Sequence, residues 1–202
     1  MDKDAKFCST GKKNVICISG MAGTGKSTLS KRLAEKYHLR CYSGGDALKE
    51  LANAEGYDAS SQGWWESPEG LKFLNERVKD FKFDRAVDAK LVEYAGKGNV
   101  LLDSWTMPWL IEDGFKIWLL ASLEKRAARV AERDKITFDE ALKVLKEKED
   151  RTKAIYKQLY GFSLGEDLAP FDLVLDTDNL SADEVFEVLC KVISNVVLSC
   201  SS

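Results

Sequence analysis

The chain of 202 residues holds one histidine and three prolines, and no charge of either sign dominates, with 30 basic against 33 acidic residues. A net charge of -3 argues against a dedicated nucleic-acid binder, which normally carries a clear basic excess. No apolar run approaches the roughly 20 residues that span a bilayer. The polar stretch Met1 to Lys13 lacks the apolar segment of a secretory leader. Metal-ligand spacing is missing too. The five cysteines, Cys8, Cys17, Cys41, Cys190 and Cys200, are scattered, without a C-x-x-C pair. An odd, unpatterned set fits a reducing compartment, with Cys17 and Cys41 read as small core residues. Cys200 stands third from the end and so forms no prenylation box. The absences predict a cytoplasmic protein with neither membrane nor nucleic acid as partner. His38, at the end of the first helical stretch, is read as a partner for that helix's negative end rather than as a catalyst.

What is present is an alternation of short apolar runs with longer stretches of helical period, the pattern of a parallel α/β sheet. The runs are 14–19, 40–43, 99–103, 115–121 and 172–176. Helices are expected at about 26–38, 45–55, 69–97, 122–134, 138–160 and 182–198. Ser67-Pro68 reads as an N-cap followed by proline at the first helical position. Thr137 with Glu140 and Ser181 with Glu184 read as capping boxes. The expected fold is a three-layer α/β/α domain over 14–198, with five parallel strands and helical insertions, between flexible tails at 1–13 and 199–202.

The strongest motif is Gly20-Met21-Ala22-Gly23-Thr24-Gly25-Lys26-Ser27, followed by Thr28. It matches G-x-x-x-x-G-K-[ST], with an apolar strand before it and an amphipathic helix after it. Such a loop wraps phosphates with backbone N–H groups, so side chains must stay clear of it. Lys26 puts a cation on the β- and γ-phosphates, and Ser27 is a ligand for Mg²⁺. Asp103 closes the apolar run Val100-Leu101-Leu102 and is read as the acid of the metal shell; its bland alternative is a helix N-cap.

Two further clusters carry charge where charge is informative. Arg129 and Arg133 lie four apart on one helix face, with Arg126 close to it, after the fourth strand. There they can spread the charge of a moving phosphoryl, and the alternative is a solvated helix paired with Glu124 and Glu132. Along 69–97 the apolar stripe runs through Leu71, Leu74, Val78, Phe81, Val92 and Ala95. Continued as one helix, it passes through Arg85 and Asp88. Inward charges at those positions serve either a ligand or a structural ion pair.

Ser43-Gly44-Gly45-Asp46, the arginines at 126, 129 and 133, Phe83-Asp84-Arg85-Ala86-Val87-Asp88, Tyr156–Gly161 and Asp172–Thr177 resemble, in order and spacing, the archaeal-type cytidylate kinases. The resemblance covers about 14 to 198. It implies ATP with Mg²⁺ as phosphoryl donor, a pyrimidine monophosphate acceptor, an acceptor-binding lobe at 57–97 and a LID-type region at 134–162. It places Asp46, Lys49, Arg85, Asp88 and Trp105 at the acceptor, Arg126 and Thr177 at the donor nucleotide, and Arg151 beside Lys26, Arg129 and Arg133 around the transferred group. The expected assembly is a monomer or weak homodimer.

Three departures fall on one task. Where the family grips the acceptor phosphate with arginine, this chain has Lys49, which lacks the planar fork, and Trp105, which has no charge. The cation before the LID-helix tyrosine is replaced by Ile155. Two alternatives therefore stay open: a kinase of the same fold for another small acceptor or nucleotide, and a nucleotide-binding regulator without transfer. Trp64-Trp65 and Trp105 to Trp109 read either as core or as a stacking surface for a base.

Overall fold

The computed structural model describes residues 14–61 and 63–197; the expected flexible tails at 1–13 and 199–202 lie outside the described residues. In chain order the elements are β1 (Val15–Gly20), α1 (Lys26–Lys36), β2 (Arg40–Ser43), α2 (Gly44–Ala54), α3 (Pro68–Lys79), α4 (Lys82–Lys97), β3 (Val100–Asp103), α5 (Met107–Leu110), β4 (Phe115–Leu120), α6 (Leu123–Asp134), α7 (Phe138–Tyr160), β5 (Leu173–Asp176) and α8 (Ala182–Val192). A short 3-10 turn, Trp64–Glu66, precedes α3.

The five strands form one parallel sheet in the order β2-β3-β1-β4-β5. Parallel strands need helical crossovers that cover both faces, which is why β1 is buried along its whole length and apolar from Val15 to Ile18. Alternate side chains of β1 serve opposite cores. Val15 and Cys17 pack with Leu48 of α2 and with Phe83 and Leu91 of α4. Ile16 and Ile18 pack with Leu29 and Leu33 of α1 and with Val185 and Leu189 of α8. The layers are therefore α/β/α, as the alternating pattern predicts.

Register positions the chemistry. Ile18 of β1 and Ser43 of β2 both pair with Asp103 of β3. The loop after β1, the Ser43-Gly44 turn and the acid ending β3 thus emerge together at the carboxyl ends of the strands, where ligands bind in open α/β sheets.

The caps act as expected. Ser67 Oγ accepts from the Gly70 N–H at 3.2 Å, with Pro68 opening α3. Thr137 and Ser181 close reciprocal capping boxes on α7 and α8. Gly70 is needed for packing, because a Cβ there would lie 2.1 Å from the Trp64 carbonyl oxygen.

The expected single helix over 69–97 is corrected to two. Asp80 takes an extended conformation (φ -143°, ψ 113°) and its carboxylate accepts the Lys82 N–H at 3.0 Å, stopping α3 and starting α4 afresh. The break re-phases the buried face. Positions 83, 84, 87, 88 and 91 turn inward, while Val78 and Val92 are exposed. α5 and the 3-10 turn were not expected either; four- and three-residue helical turns leave no periodicity to find.

Candidate active site

The loop after β1 is built so that backbone, not side chains, faces the cleft. Gly23 has φ +83°, and a Cβ on it would meet the Arg126 carbonyl oxygen at 2.9 Å. Gly20 is equally constrained, its Cβ position lying 2.6 Å from the Leu119 carbonyl oxygen. Inside the loop Thr24 Oγ1 donates to the Met21 carbonyl at 2.9 Å, fixing the turn from within. α1 begins at Lys26 with no acid in its first turn, so the positive end of its dipole is left for an anion.

Ser27 Oγ donates to Asp103 Oδ2 at 2.5 Å. Burial pushes the Asp103 carboxyl up, opposed by the nearby Lys26 ammonium and the Ser27 hydroxyl. Burial equally pushes Lys26 down, opposed by Asp103. A hydroxyl and a carboxylate side by side are the hard oxygen donors that Mg²⁺ takes when most of its shell is phosphate and water. Among the described residues no three carboxylate, histidine or cysteine side chains converge into a protein-only metal cage. That donor set fits a Mg²⁺ shared with nucleotide phosphates.

From this loop a cleft of about 540 Å³ runs toward α3 and α4. Ala22, Gly23, Gly25, Lys26, Ser27 and Thr28 line one end, and Asp46, Lys49, Asp88, Asp103, Trp105, Arg129 and Arg133 also border it. Gly20, Met21 and Thr24 belong to the loop but do not line the cleft. Arg85, Arg126, Arg151 and Thr177 do not line the cleft.

The three arginines of α6 divide the work. Arg129 Nη2 donates to the Thr177 carbonyl at 2.9 Å, so Thr177 anchors an arginine that reaches the cleft. Arg133, half-exposed, donates to Asp134 Oδ1 at 2.7 Å and to Glu66 Oε2 at 3.1 Å. Arg126 departs from its expected place at the donor nucleotide. It is buried, paired bidentately with Glu149 of α7, and donates to the Ala22 and Ala121 carbonyls at 3.1 Å. It is a strut under the phosphate loop. Arg151 pairs with Glu147 one turn back on α7, away from the cleft lining.

At the other end the re-phased α4 decides which charges point in. The inward reading of Arg85 does not hold, because Arg85 is on the exposed face. The buried ion pair is Arg77 of α3 with Asp84 of α4, bonded at 2.5 and 3.1 Å. Asp88 does face inward. Its two oxygens accept from the Thr106 hydroxyl and the Tyr160 hydroxyl, each at 2.6 Å. Burial raises its carboxyl to about 6, with the two hydroxyls pulling the other way. Lys49 reaches the Ser61 carbonyl at 3.3 Å, and Asp46 lies in the first turn of α2, its N–H donating to the Ser43 hydroxyl cap at 3.1 Å.

The tryptophans split between the two readings. Trp64 is core, 1% exposed, against Tyr57 and Phe73. Trp65 borders the cleft, with the Lys148 ammonium 5.4 Å and the Arg77 guanidinium 5.9 Å from its ring. Trp109 stacks on Phe162 with centroids 4.0 Å apart. Trp105, expected at the acceptor, borders the cleft and also leans on the phosphate loop. Its indole N–H donates to the Gly20 carbonyl at 2.5 Å, and the Lys26 ammonium lies 5.3 Å from its ring.

Lys148, Arg77 and Glu66 line the cleft and went unmarked in the sequence. Lys148 sits in a run of charges (Lys146 to Arg151) that reads as a solvated face, yet it is 8% exposed. Its one sequence signal is its spacing, three after the buried Leu145 and four before the buried Thr152.

Comparison with known proteins agrees with this geometry. The model of the cytidylate kinase-like family matches residues 15–179. The cytidylate kinase of Methanocaldococcus jannaschii is 35% identical over 187 residues, covering 90% of this chain and 98% of the relative. That of Sulfurisphaera tokodaii is 34% identical over 179 residues, covering 87% and 92%. In fold, the chain resembles a shikimate kinase from Acinetobacter baumannii, with a TM-score of 0.54 at 16% identity over 92% of this chain and 96% of that one. The sheet order, the phosphate loop and the length of these matches lead to one conclusion: the chain belongs to the cytidylate kinase-like family and is a phosphotransferase of the P-loop kinase fold.

Proposed function

We propose that this enzyme moves the γ-phosphoryl of ATP, with Mg²⁺, onto cytidine or deoxycytidine monophosphate. The observation that carries the reading is the single cleft joining an intact phosphate loop to a pocket walled by Trp65, Arg77, Asp84 and Asp88. Residues 57–97 form the acceptor lobe in this reading and 134–162 the LID-type region.

The loop N–H groups and Lys26 hold the donor phosphates; Ser27 and Asp103 hold Mg²⁺, which neutralises phosphate charge when bound. Arg129, Arg133 and Lys148 face the transferred group, while Arg151, tied to Glu147 outside the cleft lining, drops out of this set. An acceptor phosphate is already nucleophilic, so positioning and electrostatics carry catalysis and no general base is assigned. At the base end, Asp84 and Asp88 offer acceptor oxygens and Arg77 offers donors, a mixed edge suited to cytosine's amine and its ring acceptors.

The decisive experiment is a coupled assay with Mg-ATP across CMP, dCMP, UMP, AMP and GMP. CMP or dCMP should give the highest kcat/KM. A different monophosphate in first place overturns the acceptor, and ATP binding without transfer to any of them overturns the kinase reading. The other-acceptor alternative has one specific observation behind it. Ile155 is 1% exposed in the apolar cluster with Leu74 and Trp118, so it offers a phosphate nothing.

A further inference from the structure

A carboxylate buried in an anion-binding cleft needs a task there. Asp103 is placed to hold the metal, Asp84 is tied to Arg77 and Asp88 to two hydroxyls, whereas Glu66 lies between cations. Glu66, at the end of the 3-10 turn, accepts from Lys148 Nζ at 2.7 Å through one oxygen and from Arg133 Nη2 at 3.1 Å through the other. Its side chain is 6% exposed. It cannot drift far, because the turn is clamped by the buried Trp64, by the Ser67 cap and by the close packing of Gly70 on the Trp64 carbonyl. All three charged residues border the cleft, and both Lys148 and Glu66 lie near enough to Lys26 to act on its charge.

We infer that Glu66 is a positioning residue for phosphoryl transfer: one carboxylate from the acceptor side spans Lys148 of α7 and Arg133 of α6 and holds both cations toward the phosphates. The inference rests on the kinase reading above.

The charge environment supports it. Lys148 is pushed down chiefly by burial, and Arg133 from α6 and Arg77 from α3 push the same way. Lys26 of the phosphate loop adds like charge. Neighbouring Glu149 is committed to Arg126, and Glu147 to Arg151. Glu66 is the group that holds Lys148 up. Without it a desolvated ammonium among three cations releases its proton more readily. Asp134 keeps a bond to Arg133, so Lys148 is the cation that depends on Glu66.

The test is Glu66→Gln, which keeps shape and removes charge. In CMP kinase assays kcat should fall about tenfold or more while the ATP KM stays within about threefold, as for an interaction that strengthens in the transition state. The alkaline limb of kcat should move to lower pH. Lys148→Arg supplies the control, since guanidinium does not titrate in this range. In the Lys148→Arg background Lys26 still titrates, so a limb remains, and Glu66→Gln should move it clearly less than it does in the Lys148 enzyme. Carbon-13 spectra of labelled lysine, with Lys148 assigned through the arginine variant, read the same pKa without turnover. A limb and a Lys148 titration unmoved by Glu66→Gln overturn the inference, as does a loss of kcat matched by an equal loss of thermal stability. If wild type transfers to no monophosphate, the kinase reading fails, whereas wild-type transfer with an unmoved Lys148 fails this inference alone.

Discussion

Asp88 shows how one residue records the conflict between binding and burial. Its carboxylate is buried, and both oxygens are taken by hydroxyls. An acid raised to about 6 on folding from about 4 unfolded binds more protons in the folded state between those values. Stability therefore falls as pH climbs through that window and levels off above it. The lost stability is on the order of 3 kcal/mol. Asp88→Asn removes the titration. Denaturant unfolding at several pH values should show the variant gaining on wild type as pH rises from about 4 to about 7. A constant difference across that range contradicts the burial account. The same substitution should weaken the acceptor KM, because an amide cannot accept at both positions. Trp105 stands where the family carries an arginine, and its N–H and ring act on Gly20 and Lys26.

At the scale of elements, the strands and the phosphate loop were legible because each is a local signal. Apolar runs four to seven residues long end where the chain turns, and the glycine pattern sits between a strand and a helix. The boundary at Asp80 was not legible as a break, since a lone aspartate between two helical stretches is common on a continuous helix. That miss turned the expected Arg85 outward and hid the Arg77–Asp84 pair, whose partners lie on different helices. Long-range pairing has no periodicity, so Lys148 with Glu66, 82 residues apart, could not be read either. Arg126 with Glu149 is the pair that binds α6 to α7 beneath the phosphate loop. Truncating one partner leaves a buried charge uncompensated, at about 3–5 kcal/mol, whereas replacing both with apolar groups is often near neutral. Arg126→Met should therefore lose about that much stability in urea, and adding Glu149→Met should recover most of it. If the double variant is as unstable as the sum of the single ones, the carbonyl contacts of Arg126, not the ion pair, carry the stability.

For the whole molecule, the sheet gathers three charged segments at the carboxyl ends of its strands, and packing holds them there against mutual repulsion. Lys26, Arg129, Arg133 and Lys148 border one cleft, and burial disfavours the charged forms of Lys26 and Lys148. A polyanion that enters relieves this strain across α1, α6 and α7 together, so binding should stabilise the fold globally rather than locally. A ligand at 100 times its Kd adds about 2.7 kcal/mol. For a chain of this length that corresponds to roughly 5–10 °C in Tm, at about 2–4 °C per kcal/mol. Mg-ATP should therefore raise Tm by that amount, and chelating the metal should reduce the rise, because the phosphates then meet Asp103 without a cation between them. Lys26→Met should respond differently. Free of ligand, it should melt no lower than wild type, since it removes a desolvated charge from among like charges, although Asp103 loses a partner. With Mg-ATP its shift should nearly vanish, and turnover should fall at least ~100-fold, because the β- and γ-phosphates lose their fixed counter-cation. Calorimetry of both proteins with and without Mg-ATP checks this in one series. A full ligand shift in Lys26→Met would remove the lysine from the donor site and take the assignment of the loop with it.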